Sequence, residues 1–135
     1  KKLDPVSVVR AFCDAITSGD EVRAQSCITP RSAMYSLTMN LGPNMLYNPR
    51  YGGMNSIVHN ITKAKLLSYS FYTYEDQRMV DVTDIGSRTS ISISAEMNLT
   101  WRDAAFNDPS GRDHRFIGMR KTPLGWKIDG MGTGP

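Results

Sequence analysis

Residues 89–101 read Thr-Ser-Ile-Ser-Ile-Ser-Ala-Glu-Met-Asn-Leu-Thr-Trp (TSISISAEMNLTW). Ile91, Ile93, Ala95, Met97, Leu99 and Trp101 alternate without a break against Ser90, Ser92, Ser94, Glu96, Asn98 and Thr100. A period of two sets every apolar side chain on one face of an extended chain and every polar one on the other. The stretch therefore predicts a long antiparallel strand with one face buried. Its Ser/Asn/Thr face is either solvated or a docking surface.

Outward from this strand, the chain divides into a helical beginning and a stranded end. Asp4-Pro5 opens a helix, with Asp4 as N-cap and Pro5 at the first helical position. Val6, Val9, Phe12, Cys13 and Ile16 recur at three- and four-residue spacing and form one apolar stripe. Ser18-Gly19-Asp20 closes that helix and caps a second, from Glu21 to Cys27, with Val22, Ala24 and Ile28 facing inward; Thr29-Pro30 stops it. A third short helix is expected over Arg31–Met39. Leu41–Gly53 (LGPNMLYNPRYGG) reads as a long loop of the kind that forms lids or binding edges, and Asn55–Ile61 as a short helix. Strands follow at Lys63–Tyr74, Met79–Ile85, Thr89–Trp101, Asp113–Lys121 and Gly125–Met131, with turns at Glu75–Gln77, Ile85–Ser87, Asn107–Gly111 and Thr122–Gly125.

This order predicts an α+β fold: N-terminal helices packed on a curved antiparallel β-sheet, a cone with an internal cavity. At 135 residues the chain is expected to form one domain with a core of its own. Trp126 is expected on the sheet against the first helix.

The composition, 40% hydrophobic and 21% charged with a net charge of +3, is that of an ordinary globule. The basic residues are scattered, and no basic stripe or stacking motif speaks for nucleic acid. No apolar run approaches the ~20 residues needed to span a bilayer. The chain opens on Lys1 without an initiator Met, so it reads as a fragment or processed product. Its upstream segment would be a signal peptide, a lipoprotein anchor or a membrane helix.

Two stretches resemble the nuclear transport factor 2-like superfamily, the cystatin-like α+β cone. Asp4–Asp20 (DPVSVVRAFCDAITSGD) resembles its opening helix with a Gly-Asp turn. Phe116–Lys121 followed by Gly125-Trp126-Lys127-Ile128-Asp129 resembles its closing hairpin. Within it, the chain looks most like small exported or lipoprotein-borne bacterial domains of undefined function. The resemblance implies a pocketed cone, often dimeric through the sheet, and no particular reaction. Assembly proteins of bacterial conjugation and secretion machines carry domains of similar shape.

Cys13 and Cys27 lie seven residues either side of Asp20, at the turn of the helical hairpin. Equidistant positions on facing stripes of packed helices can meet a disulfide's Cα spacing. Closing a loop of about 15 residues would stabilise the fold by roughly 3 kcal/mol. The alternative is two buried free thiols packing as small hydrophobes. Two Cys and two distant His do not make a structural zinc site, and nothing asks for another cofactor.

A pocket enzyme of this architecture needs an ionisable group inside the cone. The candidates are Asp14, Tyr35, His59, Tyr69, Tyr72 and His114. Asp14 points about 100° from the inner stripe and is expected to be solvated. His59 reads as a partly buried structural histidine. His114, among charges at a strand start, is expected to be exposed. No Asp/His pair stands at a recognisable spacing, and phosphate-loop, nucleophile-elbow, His-Glu-x-x-His and EF-hand patterns are missing. Aromatics with polar tips flank the long loop, so Tyr35, Tyr47, Tyr51, His59 and Tyr72 are the expected ligand-binding set. The alternative is a tyrosine-rich core edge. The leading expectation is a non-enzymatic exported domain that binds a partner protein or small ligand, or scaffolds a cell-envelope assembly. The competing one is an isomerase- or dehydratase-like pocket enzyme.

Overall fold

A computed structural model describes residues 3–32, 61–101 and 104–132. Helix α1 (Pro5–Ser18) begins where Asp4 accepts a hydrogen bond from the Ser7 amide at 2.8 Å. It ends at Gly19, whose φ of 71° is the left-handed conformation that a residue without Cβ adopts cheaply. The next residue, Asp20, is the N-cap of α2 (Glu21–Ser26) and accepts from the Arg23 amide at 3.0 Å. One dipeptide thus closes one helix and opens the other. Val22 departs from expectation: it is 80% exposed, whereas Ala24 and Ile28 are buried. Two residues turn a helix by about 200°, so Val22 cannot share the inward face of Ala24.

Among the described residues five strands follow: β1 (Ile61–Glu75), β2 (Arg78–Asp81), β3 (Ser90–Trp101), β4 (Asp113–Thr122) and β5 (Gly125–Gly132). They form one antiparallel open sheet in the order β2-β1-β3-β4-β5. The β1–β2 hairpin turns through Asp76 and Gln77, both at positive φ (50° and 65°), the geometry that matches the twist of a two-residue hairpin. Strand β2 stops at Asp81, short of the expected Ile85. Asp84 there accepts from the Gly86 amide at 3.1 Å and bends the chain, which ends the ladder.

The apolar face of β3 meets α1. Val9, Phe12, Ile93, Met97, Ile117, Met119 and Ile128 are all essentially closed to solvent and belong to one core cluster. Trp126 is buried in the same cluster, as expected. The chain leaving α2 is sewn to the outer edge of β5. Ile28 pairs in parallel with Ile128, Thr29 N–H donates to the Ile128 carbonyl at 2.9 Å, and Ile128 N–H to the Cys27 carbonyl at 2.7 Å. That strap protects an edge that would otherwise present unpaired backbone. At the opposite side, Thr17 Oγ1 donates to the Ala64 carbonyl (3.3 Å) and accepts from the Ala64 amide (3.1 Å), tying the end of α1 to β1.

Cys13 and Cys27 are both buried and both free thiols, the second of the two arrangements that their spacing left open. Burial pushes the Cys13 thiol up to about 12, and the negative ends of Asp14 and Cys27 add to the rise. Burial also raises Cys27, whose thiol donates to the Arg23 carbonyl at 3.4 Å. The thiolate is the reactive form. Iodoacetamide at pH 8 should therefore leave both cysteines unmodified in the reduced folded protein and modify both after unfolding in urea. Rapid modification in the native state would place the thiols in a more open site than this one.

The expected third helix, the Leu41–Gly53 loop and the 55–61 helix fall in residues outside the described ones, apart from Arg31 and Ser32, which form a turn, and Ile61, which opens β1. No helix among the described residues is long and apolar enough to cross a membrane.

Candidate functional site

The sheet face turned away from the helices carries the polar side chains of β3. Register decides what meets them: Glu96 lies opposite His114, Ser94 opposite Phe116 and Ser92 opposite Gly118 on β4. On the β1 side Ser92 faces Tyr72, Ser94 faces Ser70 and Glu96 faces Ser68. Gly118 in turn pairs with Gly130 on β5.

This register assembles a three-residue polar relay. Glu96 Oε1 accepts a short hydrogen bond from His114 Nδ1. A carboxylate only accepts, so Nδ1 carries the proton, and in the neutral ring Nε2 accepts from Ser94 Oγ at 2.8 Å. Phe116 lies against the imidazole with ring centroids 4.7 Å apart. Tyr72 meets Phe116 edge-on at 5.9 Å and Tyr74 edge-on at 5.8 Å. An aromatic row thus crosses β1 and β4, with His114 at its end.

Beside that row is a bare floor. A Cβ built at Gly130 would meet nothing within 4 Å, and one at Gly118 nothing nearer than the Gly130 backbone at 4.0 Å. The resulting hollow holds about 190 Å³ and is bounded by Tyr72, Ser92, Gly118, Arg120 and Asp129. Asp129 is the electrostatic anchor of this corner. It accepts from Thr29 Oγ1 at 2.6 Å and from Arg31 Nε and Nη2 at 2.9 and 2.5 Å, and Arg120 stands 3.5 Å away. The Arg31 and Thr29 hydrogen bonds, with both guanidinium charges, hold its carboxyl far below the usual carboxylate range.

What this arrangement can do chemically follows from its backbone. His114 is placed to take a proton from Ser94, but acyl transfer also needs donors aimed at a developing oxyanion. Ser94 is central in β3 and paired on both sides, with Ser70 and Phe116. Its neighbouring amides are engaged in the ladders. The relay therefore presents a fixed pattern of donors and acceptors on the outer sheet face. Among the described residues no three His, Cys, Asp or Glu side chains converge to hold a metal ion.

The candidates read from sequence separate clearly. Tyr35, Tyr47, Tyr51 and His59 lie outside the described residues. Tyr72 is buried in the aromatic row, and burial raises its phenol while Ser92 pulls it back. Tyr69 faces the helix side, with Arg10 5.9 Å above its ring. Asp14 is solvated as expected, 3.9 Å from Arg23. His114 corrects its expectation: it is half-buried and held at both nitrogens rather than exposed. Its partner Glu96 is eighteen residues away in sequence, a spacing with no meaning until the β3–β4 register is known.

Arg115, next in chain, was not singled out by sequence. Alternation turns it to the helix side, where it is buried and donates from Nη1 to the His114 carbonyl at 2.9 Å. Burial lowers its affinity for the proton, and the charge of Asp113 partly restores it.

No family model, curated protein or solved structure matches the chain.

Proposed function

We propose that the chain is a non-enzymatic binding domain that takes a partner protein on the outer sheet face. The carrying observation is the glycine-floored hollow between the Tyr72–Phe116 row and the Arg120/Asp129 corner, with the Glu96–His114–Ser94 relay beside it. Its 190 Å³ is below the roughly 300–1,000 Å³ typical of small-molecule sites. It suits one side chain projecting from a flat partner surface. The tyrosine and arginine that line this hollow, Tyr72 and Arg120, are of residue types enriched at protein interfaces. The domain works outside the cytoplasm, as part of a cell-envelope assembly. That placement rests on the resemblance, and in an oxidising compartment Cys13 and Cys27 would be joined. Because the folded thiols are poor nucleophiles, the bond would form during folding. Protein purified from such a compartment without reductant should then be lighter by two hydrogens.

The face is tested by a photo-crosslinking amino acid placed at Ser92 in the cells that make the protein. A discrete adduct is expected from Ser92, lost when Gly118→Leu fills the hollow. None of the same mass is expected from Lys65 on the β1 margin. An adduct of twice the chain mass identifies the partner as a second copy. An adduct indifferent to Gly118→Leu, or equally strong from Lys65, overturns the proposal.

A second reading, a small enzyme, is favoured by the Ser94–His114–Glu96 relay. It predicts hydrolysis of p-nitrophenyl acetate that disappears in both Ser94→Ala and His114→Ala. Such turnover would displace the binding reading.

A further inference from the structure

Away from the sheet face, the apolar side chains that the fold leaves outside are unevenly placed. Val22 on α2 and Leu124 at the tip of the β4–β5 hairpin are each 80% exposed, and Leu3 is 49% exposed. A hairpin tip is ordinarily polar. Here Leu124 is held out rigidly. Its amide donates to Thr122 Oγ1 at 3.1 Å, and that hydroxyl donates to the Gly125 carbonyl at 2.7 Å.

Two hollows flank this tip. One, about 500 Å³, runs between α1, α2 and Trp126, with Val8 and Ala11 in its wall. The other, about 580 Å³, lies between Val22, Ile28, Pro30 and the hairpin. They share Ser26, Pro123, Leu124 and Lys127, so they form a continuous groove. Each has the volume of a small-molecule site.

The charges that the described residues place on this groove are of one sign. Among the described residues its lining contains Arg23 and Lys127 and no Asp or Glu. Lys127 Nζ donates to the Ser26 carbonyl, a neutral acceptor that leaves the ammonium charge uncompensated. Arg23 has Asp14 at 3.9 Å, an exposed contact of the kind that contributes little.

We infer that this groove binds a single-chain amphiphile with an anionic head group, its hydrocarbon along Trp126 and Leu124 and its head at Lys127 and Arg23. Apolar walls with a few placed polar groups are what such a ligand requires. The two cations in the lining, Arg23 and Lys127, favour an anionic head group over a cationic one. The site is independent of the outer sheet face, and either reading can fail alone.

The test titrates the whole chain with decanoate below its micelle concentration, by calorimetry and by Trp126 emission. Saturable one-to-one binding is expected. It should tighten about two- to fourfold for each methylene from octanoate to decanoate, as burial of hydrocarbon requires. Lys127→Gln should weaken decanoate about five- to tenfold and leave decanol unchanged. Leu124→Glu sits at an exposed tip where folding is not at stake, and it should weaken binding at least tenfold with an unaltered far-ultraviolet dichroism spectrum. The inference is overturned if decanol binds as tightly as decanoate or if Leu124→Glu leaves the affinity intact. It is equally overturned if the protein associates only with anionic phospholipid vesicles and never with the monomeric amphiphile.

Discussion

Trp126→Ala is expected to destabilise the fold by about 3–5 kcal/mol, the range for removing a large aromatic from a core. Trp126 is only 8% exposed, and its indole stands in the wall that Val8 and Ala11 form on α1. It is the second residue of β5, reached through Gly125, whose φ of 109° suits a residue without Cβ. The hairpin therefore delivers the indole to one place, and α1 cannot move across to close the space without leaving β1. Urea unfolding followed by far-ultraviolet dichroism measures the effect, with the m-value unchanged if only the native state has lost contacts. A loss below about 1 kcal/mol would mean that the indole does not pack between sheet and helix.

Asp129→Ala should cost roughly 2–3 kcal/mol at neutral pH, and the cost should shrink in acid. The carboxylate is the shared acceptor for Thr29, which is 3% exposed, and for Arg31. Truncation leaves the Thr29 hydroxyl buried without its acceptor, which alone is worth about 1–3 kcal/mol. The arginine contacts add less, because Arg31 is largely exposed. The folded carboxyl titrates below its unfolded value, so the native state favours the ionised form. Its contribution is fully present above the unfolded value near 3.9 and fades as pH falls toward the folded one. Wild-type and variant stabilities should therefore differ most above about pH 5 and converge in acid. A gap that stays constant from pH 7 to pH 2 would show that the loss is one of packing rather than charge.

Helix α1 and the strands were legible because their signals are local. Asp4, Pro5 and Gly19 mark helix ends by backbone chemistry that acts within four residues, and the observed caps fall on them. The alternation in β3 survives intact, with every odd residue from Ile91 to Leu99 buried. Where the signal was shorter than the element's period, the reading slipped. A six-residue α2 offers less than two turns from which to infer a face, and Val22 was placed on the wrong one.

The candidate site was legible only in part. The Ser/Asn/Thr face of β3 could be named as a surface, but not what stood on it. The Glu96–His114 contact joins two strands through a register that turns and a long connection determine together. The Gly118–Gly130 floor likewise needs a bulge between Gly118 and Met119 to bring the two glycines opposite each other. Neither glycine has a side chain whose pattern could have announced it.

By itself, then, the sequence determined, among the described residues, the α-helices and strands, most of their ends and which face of each strand is apolar. Those properties follow from dihedral preferences, capping and period-two patterning, which depend on near neighbours. The tertiary structure alone decided that the polar face of residues 90–101 carries a held histidine beside an open hollow. It also decided that the strap at Cys27–Thr29 seals β5, and that Leu124, Val22 and Lys127 share one groove. Each of these joins residues far apart in sequence, eighteen positions for Glu96 and His114 and about a hundred for Ile28 and Ile128. Such contacts depend on strand register and helix docking, and those emerge only when the whole core packs at once.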